Sequence, residues 1–382
     1  MNPRILAVPV VAAAIAICLY FFASGEKSAS TVSLPATSVK TAAAQPETVR
    51  GKNATSEKSP GEAGKKPAVD WKIFAMLSGK SGGDGAQIPE PTAEDIARFL
   101  AKHGESAVNL VTAFEKTHDR RWLERALELF PNSPVVLMAA VDSIASVPSR
   151  DGETYQSDPK RMAYIERFKA ADANNPLPWI FSAQEFFKSK QAADALADVR
   201  AALGRPAFYT YSTERMDSAQ KLYEGLGLGS VEAGALAMFG VTLPHMTAAN
   251  QSSRSLMELQ KSASESGDTA AADEALRLTY NLGRTFATPE ASRMLIGQLV
   301  GISMEKRALE ALPAGAQPEW LKVTPAERLA EIERQKADVQ GVAKGIESVI
   351  QSQDSEIIAE YLRRMRTESE AAAYEWLKRQ KK

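Results

Sequence analysis

Apolar and polar positions divide the chain into three regimes. Residues 5–23, ILAVPVVAAAIAICLYFFA, form an uncharged run of 19. Residues 24–68 contain no aromatic side chain, and Val32, Leu34, Val39 and Val49 are their only large aliphatics. From Thr92 onward apolar residues recur every three or four positions, the spacing of helices with one buried face, and no stretch alternates as a strand would. This periodicity predicts helices over 93–103, 106–117, 119–130, 134–146, 159–172, 177–189, 191–203, 213–226, 231–240, 245–266, 269–286, 290–312, 325–351 and 354–380, the last breaking near Thr367.

Start and stop signals agree with that pattern. Thr92-Ala-Glu-Asp95 reads as a capping box closed by an Asp. Ser133 before Pro134 and Asp158 before Pro159 pair a cap with proline at the first helical position. Ser230, Asp268 and Thr324 are further candidate caps, and Gly104, Gly204 and Gly267 stand where helices end. Short connections make most neighbours antiparallel pairs. The longest loop, 147–158, is polar and reads as an edge insertion. Toward the C-terminus Ile332, Val339, Val342, Ile346 and Val349 approach a heptad stripe, with Gln335 at the missing place. The stripe suits the core face of a long helix or a coiled-coil seam for a partner. Ile357, Ile358, Tyr361, Leu362 and Met365 make another stripe. The basic end at 378–382 suits either a helix terminus or contact with an anionic lipid or wall polymer.

The N-terminal run is long enough to cross a bilayer: at ~1.5 Å per residue, 19 residues span about 28 Å. Tyr20, Phe21 and Phe22 provide an interfacial aromatic end. A cleaved signal peptide is the competing reading, since Ala23-Ser24-Gly25 is an acceptable small-residue cleavage site. A lipoprotein signal is disfavoured, because Ile17 precedes Cys18 and Leu-Tyr-Phe-Phe follows it. Residues 24–68 are too poor in large apolar groups to offset ordering entropy and are expected to be disordered. An apolar island at 69–77, with Trp71, Phe74 and Leu77 on one helical face, suits a docking turn or a short partner-binding motif.

Several helix pairs carry a further pattern. Trp179, Ala183 and Phe186 stand on one helix, and Ala195, Val199 and Ala202 on the next, followed by Pro206. Leu123, Ala126 and Pro131, and again Phe168, Ala171 and Pro176, repeat the second half of it. Over about 120–210 this resembles the tetratricopeptide repeat, a helical hairpin with large and small residues at set places. Pro206 falls one residue early, and Ser182 replaces the usual Leu. The resemblance implies an all-α solenoid of stacked hairpins whose first helices line a groove for a peptide or partner protein. Phe181, Gln184, Glu185 and Lys188 are the first-helix residues not committed to packing in that scheme. They are therefore the candidate partner-binding set.

Composition narrows the chemistry. A single Cys and three His leave no multi-Cys or His-rich metal site. His103, His118 and His245 each fall at a helix end and read as caps or surface residues. No nucleophile elbow or phosphate-binding loop occurs, and Gly225-Leu-Gly-Leu-Gly229 follows a helix rather than a strand, so it reads as a helix connection. Glu327, Glu331 and Glu333 are interleaved with Arg328 and Arg334 and read as a solvated face. Arg120 and Arg121 are expected to face water or hold an anion, with Trp122 packed inward. Asn53-Ala-Thr and Asn250-Gln-Ser match the glycosylation acceptor pattern. The net charge is −1; beyond residue 90 there are 36 basic and 40 acidic side chains, which argues against nucleic acid.

The expectation is a signal anchor at 1–23, a disordered linker at 24–91, a helical-repeat body at 92–312 and long C-terminal helices at 313–382. The implied function is a single-pass, membrane-tethered scaffold with an extracytoplasmic body, periplasmic in a Gram-negative cell, that binds a protein or peptide. The alternatives are a secreted form after signal cleavage, a cell-envelope hydrolase with an unrecognised site, and a structural spacer. No catalytic residue, metal ligand or cofactor is implied.

Overall fold

The computed structural model describes residues 89–380 apart from 145–146, 149–154, 207, 289–293 and 353. The anchor at 5–23, the island at 69–77 and Asn53 lie outside the described residues, as does the linker up to residue 88. Among the described residues no helix is long and apolar enough to cross a membrane.

The described chain is all-α: fifteen helices and one strand pair only two residues long. α1 (Ala93–His103) opens on the expected capping box, with Asp95 N donating to Thr92 Oγ1 at 3.2 Å and Thr92 N donating to Asp95 Oδ2 at 2.9 Å. It stops at Gly104, whose φ of +83° suits a residue without Cβ. α2 (Ala107–Thr117) closes on His118 in the left-handed region, and α3 (Arg120–Leu129) opens on Asp119, which accepts from Arg121 N. α4 (Pro134–Ser143) opens on its proline, but Ser133 makes no side-chain cap bond. α5 (Pro159–Ala171) opens on Asp158, which accepts from Lys160 N at 2.7 Å. α6 (Leu177–Lys188) and α7 (Ala192–Leu203) form the hairpin of the best repeat match.

α8 (Ser212–Gly225) and α9 (Ser230–Phe239) are joined by the glycine-rich connection, where Gly227 has a φ of +93°. Ser230 is the first residue of α9 rather than its cap, which is Gly229. α10 (Pro244–Ser266) ends at the left-handed Gly267, and α11 (Thr269–Ala287) is capped by Asp268. α12 (Leu295–Glu310) and α13 (Pro325–Ser352) follow, the latter behind a Thr324–Glu327 capping box. The expected break at Thr367 separates α14 (Ser355–Thr367) from α15 (Glu370–Gln380). The polar insertion carries the strand pair, β1 (Val147–Pro148) antiparallel to β2 (Tyr155–Gln156).

Consecutive helices pack on one another through the first half, but later helices fold back across them. α8 packs on α1 and α2, and α10 packs on α6. The largest apolar core accordingly mixes Ile96, Leu110, Leu137, Ile165 and Phe181 of the early helices with Leu222, Ala249, Phe286 and Met304 of later ones. In the best repeat, Ala183 and Ala195 are completely buried and Val199 nearly so, as close helix approach requires, while Trp179 and Phe186 are half-buried. Ala183 and Val199 share their cluster with Leu256 of α10 and Leu278 of α11.

The C-terminal helices join the same body. Ile332 packs with Leu276, Tyr280 and Ile302, and Val339 and Val342 with Leu295, so this part of the heptad-like stripe is a core face. Ile346 and Val349 fall among side chains outside the description. Ile358, Tyr361, Leu362 and Met365 pack with Met216, Tyr223 and Leu236 of α8 and α9.

Candidate functional site: a carboxylate row with one free member

The four residues expected to line a groove are held by the chain itself. Phe181 is 1% exposed and sits in the main core, and Glu185 is equally buried. Gln184 is buried and its Nε2 donates to Gln251 Oε1 of α10. Lys188 is partly buried against Glu185, 3.1 Å away. The reason is the fold-back: α10 covers α6 on the face that an open array of hairpins would leave to a partner.

The same helices do present an organised polar feature at their C-terminal ends. α2, α4 and α6 each carry a carboxylate in the last turns: Glu115, Asp142 and Glu185. A negative charge there opposes the helix dipole, so each needs a cation from elsewhere. Glu115 receives Arg215 of α8, with Nη2 2.6 Å from Oε1. Arg215 is 3% exposed and also donates to Thr242 Oγ1 at 2.8 Å and Thr242 O at 3.2 Å. Glu185 receives Arg161 Nε of α5 at 3.1 Å, Lys188 Nζ at 3.1 Å and Ser157 Oγ at 2.9 Å. Arg161 also donates to the carbonyls of Val141 and Ile144, satisfying the end of α4.

The charges follow from these partners. Burial pushes the Glu185 carboxyl up, but Lys188, Arg161 and Ser157 outweigh it and hold it below the ordinary range. Lys188 is also lowered, chiefly by desolvation, which the Glu185 carboxylate offsets only in part while the charge of Arg161 adds to it.

Asp142, in the middle of the row, differs. It is exposed and has no hydrogen bond or ion pair among the described residues. Its carboxyl is nonetheless raised, first by desolvation and also by Glu115, against the lowering pull of Arg215 and Arg161. Asp142 stands between Val141 and Ile144, whose carbonyls Arg161 holds, and it feels the charges of Glu115 and Arg215 as well. It offers one carboxyl able to take a cation or a hydrogen-bond donor.

The histidines and remaining motifs settle around this feature. His103 ends α1 and His118 caps α2, as expected. His245 corrects the expectation of a surface or cap residue: it is 2% exposed, stacked on Phe286 at 6.3 Å and edge-on to Phe208 at 6.2 Å. Desolvation, reinforced by Arg215, pushes it down to about 3, so it is neutral. Arg121 pairs with Asp119, and Trp122 packs against the core. Asn250 lies within α10, where its Oδ1 accepts from Arg307. Among the described residues no group of His, Cys, Asp and Glu could hold a metal ion.

Sequence reasoning named Glu185 and Lys188 but missed Glu115, Asp142, Arg161 and Arg215. The available signal was an acid in the last turns of three successive first helices, against the dipole preference. Comparison of the chain with protein-family models, with curated proteins and with solved structures finds no match.

Proposed function

We propose that the protein is a helical scaffold that binds a peptide segment of a partner, with the Asp142 carboxyl as the anchoring point for a basic side chain. The observation that carries this reading is the single free carboxylate in a row whose other two members are neutralised by the chain's own cations. A Lys, Arg or free amine entering there gains an ion pair with a carboxylate that is already partly desolvated. The repeat-like hairpins of 120–210 supply the rigid frame, and residues 5–23 supply a membrane tether that places the body outside the cytoplasm.

The test is selection from a random peptide library on the detergent-solubilised full chain. Enriched peptides should carry Lys or Arg, and Asp142→Asn should weaken them at least about tenfold, as expected for loss of a partly buried charge pair. No enrichment, or equal binding by the variant, would contradict the reading. A second reading, a cell-envelope enzyme with Asp142 as its acid, draws on the raised pKa of the same carboxyl. Turnover of a peptide, ester or glycan that is lost in Asp142→Asn would favour it.

A further inference from the structure

The connection from α7 to α8 runs past the start of α6. Asn175, just before α6, donates from Nδ2 to Tyr209 O at 2.7 Å and accepts from Tyr209 N at 3.4 Å, which fastens the connection there. Closer to α7, Arg205 stacks on Trp179 of α6, with Cζ 4.4 Å from the ring centroid. Lys169 of α5 lies over the same indole, with Nζ 4.6 Å from the centroid. The two cations differ in what answers them. Lys169 Nζ meets Glu166 Oε1 at 2.8 Å, Ser182 Oγ at 2.9 Å and Asp198 Oδ2 at 3.2 Å. Arg205 meets no acceptor among the described residues.

This sets Arg205 apart from the half-buried cations that also have no ion pair among the described residues. Lys116 Nζ donates to Gly240 O at 2.9 Å, Arg307 Nη1 to Ser253 Oγ at 2.7 Å, and Arg167 Nη2 to Pro131 O. Trp179 Nε1 and Arg205 Nε are both shut off from water and both without an acceptor, so two unanswered N–H donors sit on one stacked pair. Buried donors are ordinarily satisfied, and this spot is short of acceptors. Arg205 is half-buried, and its Nη1 and Nη2 reach solvent. The carboxylates of this region are engaged elsewhere. Glu166 and Asp198 hold Lys169, Asp172 accepts from Tyr211 Oη and Asn175 Nδ2, and Glu214 accepts from Tyr209 Oη.

We propose that Arg205, held on the face of Trp179, is a binding site for a carboxylate, the Glu or Asp side chain of the partner peptide. That a peptide carries the carboxylate rests on the function proposed above; the carboxylate itself follows from the site. Stacking uses the face of the guanidinium and leaves its edge donors for a planar, bidentate acceptor. The indole holds the fork in place, so little side-chain freedom is lost on capture. One unanswered positive charge matches one carboxylate. A phosphate of charge about −2 calls for a second cation, and the charge of Lys169 is already matched by Glu166 and Asp198.

The test uses the full chain in detergent and the anisotropy of dye-labelled, C-terminally amidated hexaglutamate, with hexaglutamine as the neutral control. Hexaglutamate should bind and hexaglutamine should not. Arg205→Gln should weaken hexaglutamate about tenfold. Arg205→Lys, which keeps the charge and loses the planar fork, should weaken it by a smaller factor and decides the matter if the glutamine variant loses helix content. Arg167→Gln, at a stacked arginine whose guanidinium is engaged by Pro131, should bind as the wild type does. Asp142→Asn should still bind hexaglutamate. A chain that binds hexaglutamate but no basic peptide contradicts the Asp142 reading alone, and the reverse contradicts this site alone. The proposal is overturned if hexaglutamate binds no better than hexaglutamine, or if folded Arg205 variants bind it as the wild type does. Equal weakening by Arg167→Gln would overturn it too, as the mark of a diffuse basic surface.

Discussion

His245, which is buried, and Glu370, which is half-buried, give stability opposite dependences on pH. His245, neutral in the fold with a pKa of about 3, lies below its ordinary value of 6.5 because of burial and Arg215. The unfolded chain therefore binds more protons between those values, and the His245 contribution present above pH 6.5 is lost as pH falls toward 3. Glu370, at the start of α15, accepts from Leu295 N at 2.7 Å, yet burial outweighs that bond and raises it from 4.5 to about 7. Here the folded state binds more protons, so the contribution is complete below pH 4.5 and is lost as pH rises toward 7. Between pH 4.5 and 6.5 the two oppose each other. Urea midpoints measured across this range should fall less with rising pH in Glu370→Gln than in the wild type. In His245→Phe they should fall more steeply with rising pH than in the wild type. Unchanged slopes in both would contradict the two environments. Trp179 makes a related point: it is half-buried with Lys169 Nζ 4.6 Å from its ring centroid and Arg205 Cζ 4.4 Å from it. Phe181→Ala, at a site 1% exposed, is expected to cost about 3–5 kcal/mol, and Trp179→Ala less. Denaturant midpoints in the reverse order would count against the burial seen here.

Among the elements, α11 and α12 approach so closely at two glycines that a Cβ would not fit. A Cβ added to Gly301 would lie 2.4 Å from Ala287 N and 2.6 Å from Gly283 O, and one on Gly283 would lie 2.7 Å from Gly301 O. These are backbone atoms, so the helices must separate to admit even a methyl group. Gly301→Ala should destabilise by about 1–3 kcal/mol or more, read as a lower denaturant midpoint, whereas Gly341→Ala, with nothing near its Cβ, should not destabilise. Equal midpoints for the two variants would contradict the crossing. What the sequence made legible was local. Thr92, Asp158, Asp268 and Thr324 act at helix starts as their side-chain chemistry requires, and the break at Thr367 follows from the loss of periodicity there. Gly283 and Gly301 were not legible, because their need arises from a neighbour that periodicity does not identify. The carboxylate row was half legible: Glu185 and Lys188 were named, but as groove-lining residues rather than as members of a buried ion cluster with Arg161.

At the scale of the whole molecule, a pattern of repeats specifies hairpins but not what covers them. The hairpins lie where apolar spacing puts them, while Arg215, Gln251, Ser218 and Asn109 decide that α8 and α10 close over the early helices. Ser218 Oγ donates to Asn109 Oδ1 at 2.8 Å across that junction, in a position shut off from water. The face that would have been a groove becomes interior, and Asp142 is left as the free carboxylate at its end. The Glu115–Arg215 pair reports this closure most directly, since it joins α2 to α8 across 100 residues of sequence with the arginine 3% exposed. A double-mutant cycle with Glu115→Gln, Arg215→Gln and both together, read by urea unfolding, isolates their interaction. Closure of α8 onto α2 gives a coupling of about 1–3 kcal/mol, as for buried charge pairs in contact. Additivity within about 0.3 kcal/mol would mean that the two side chains do not meet, and that the early helices are open.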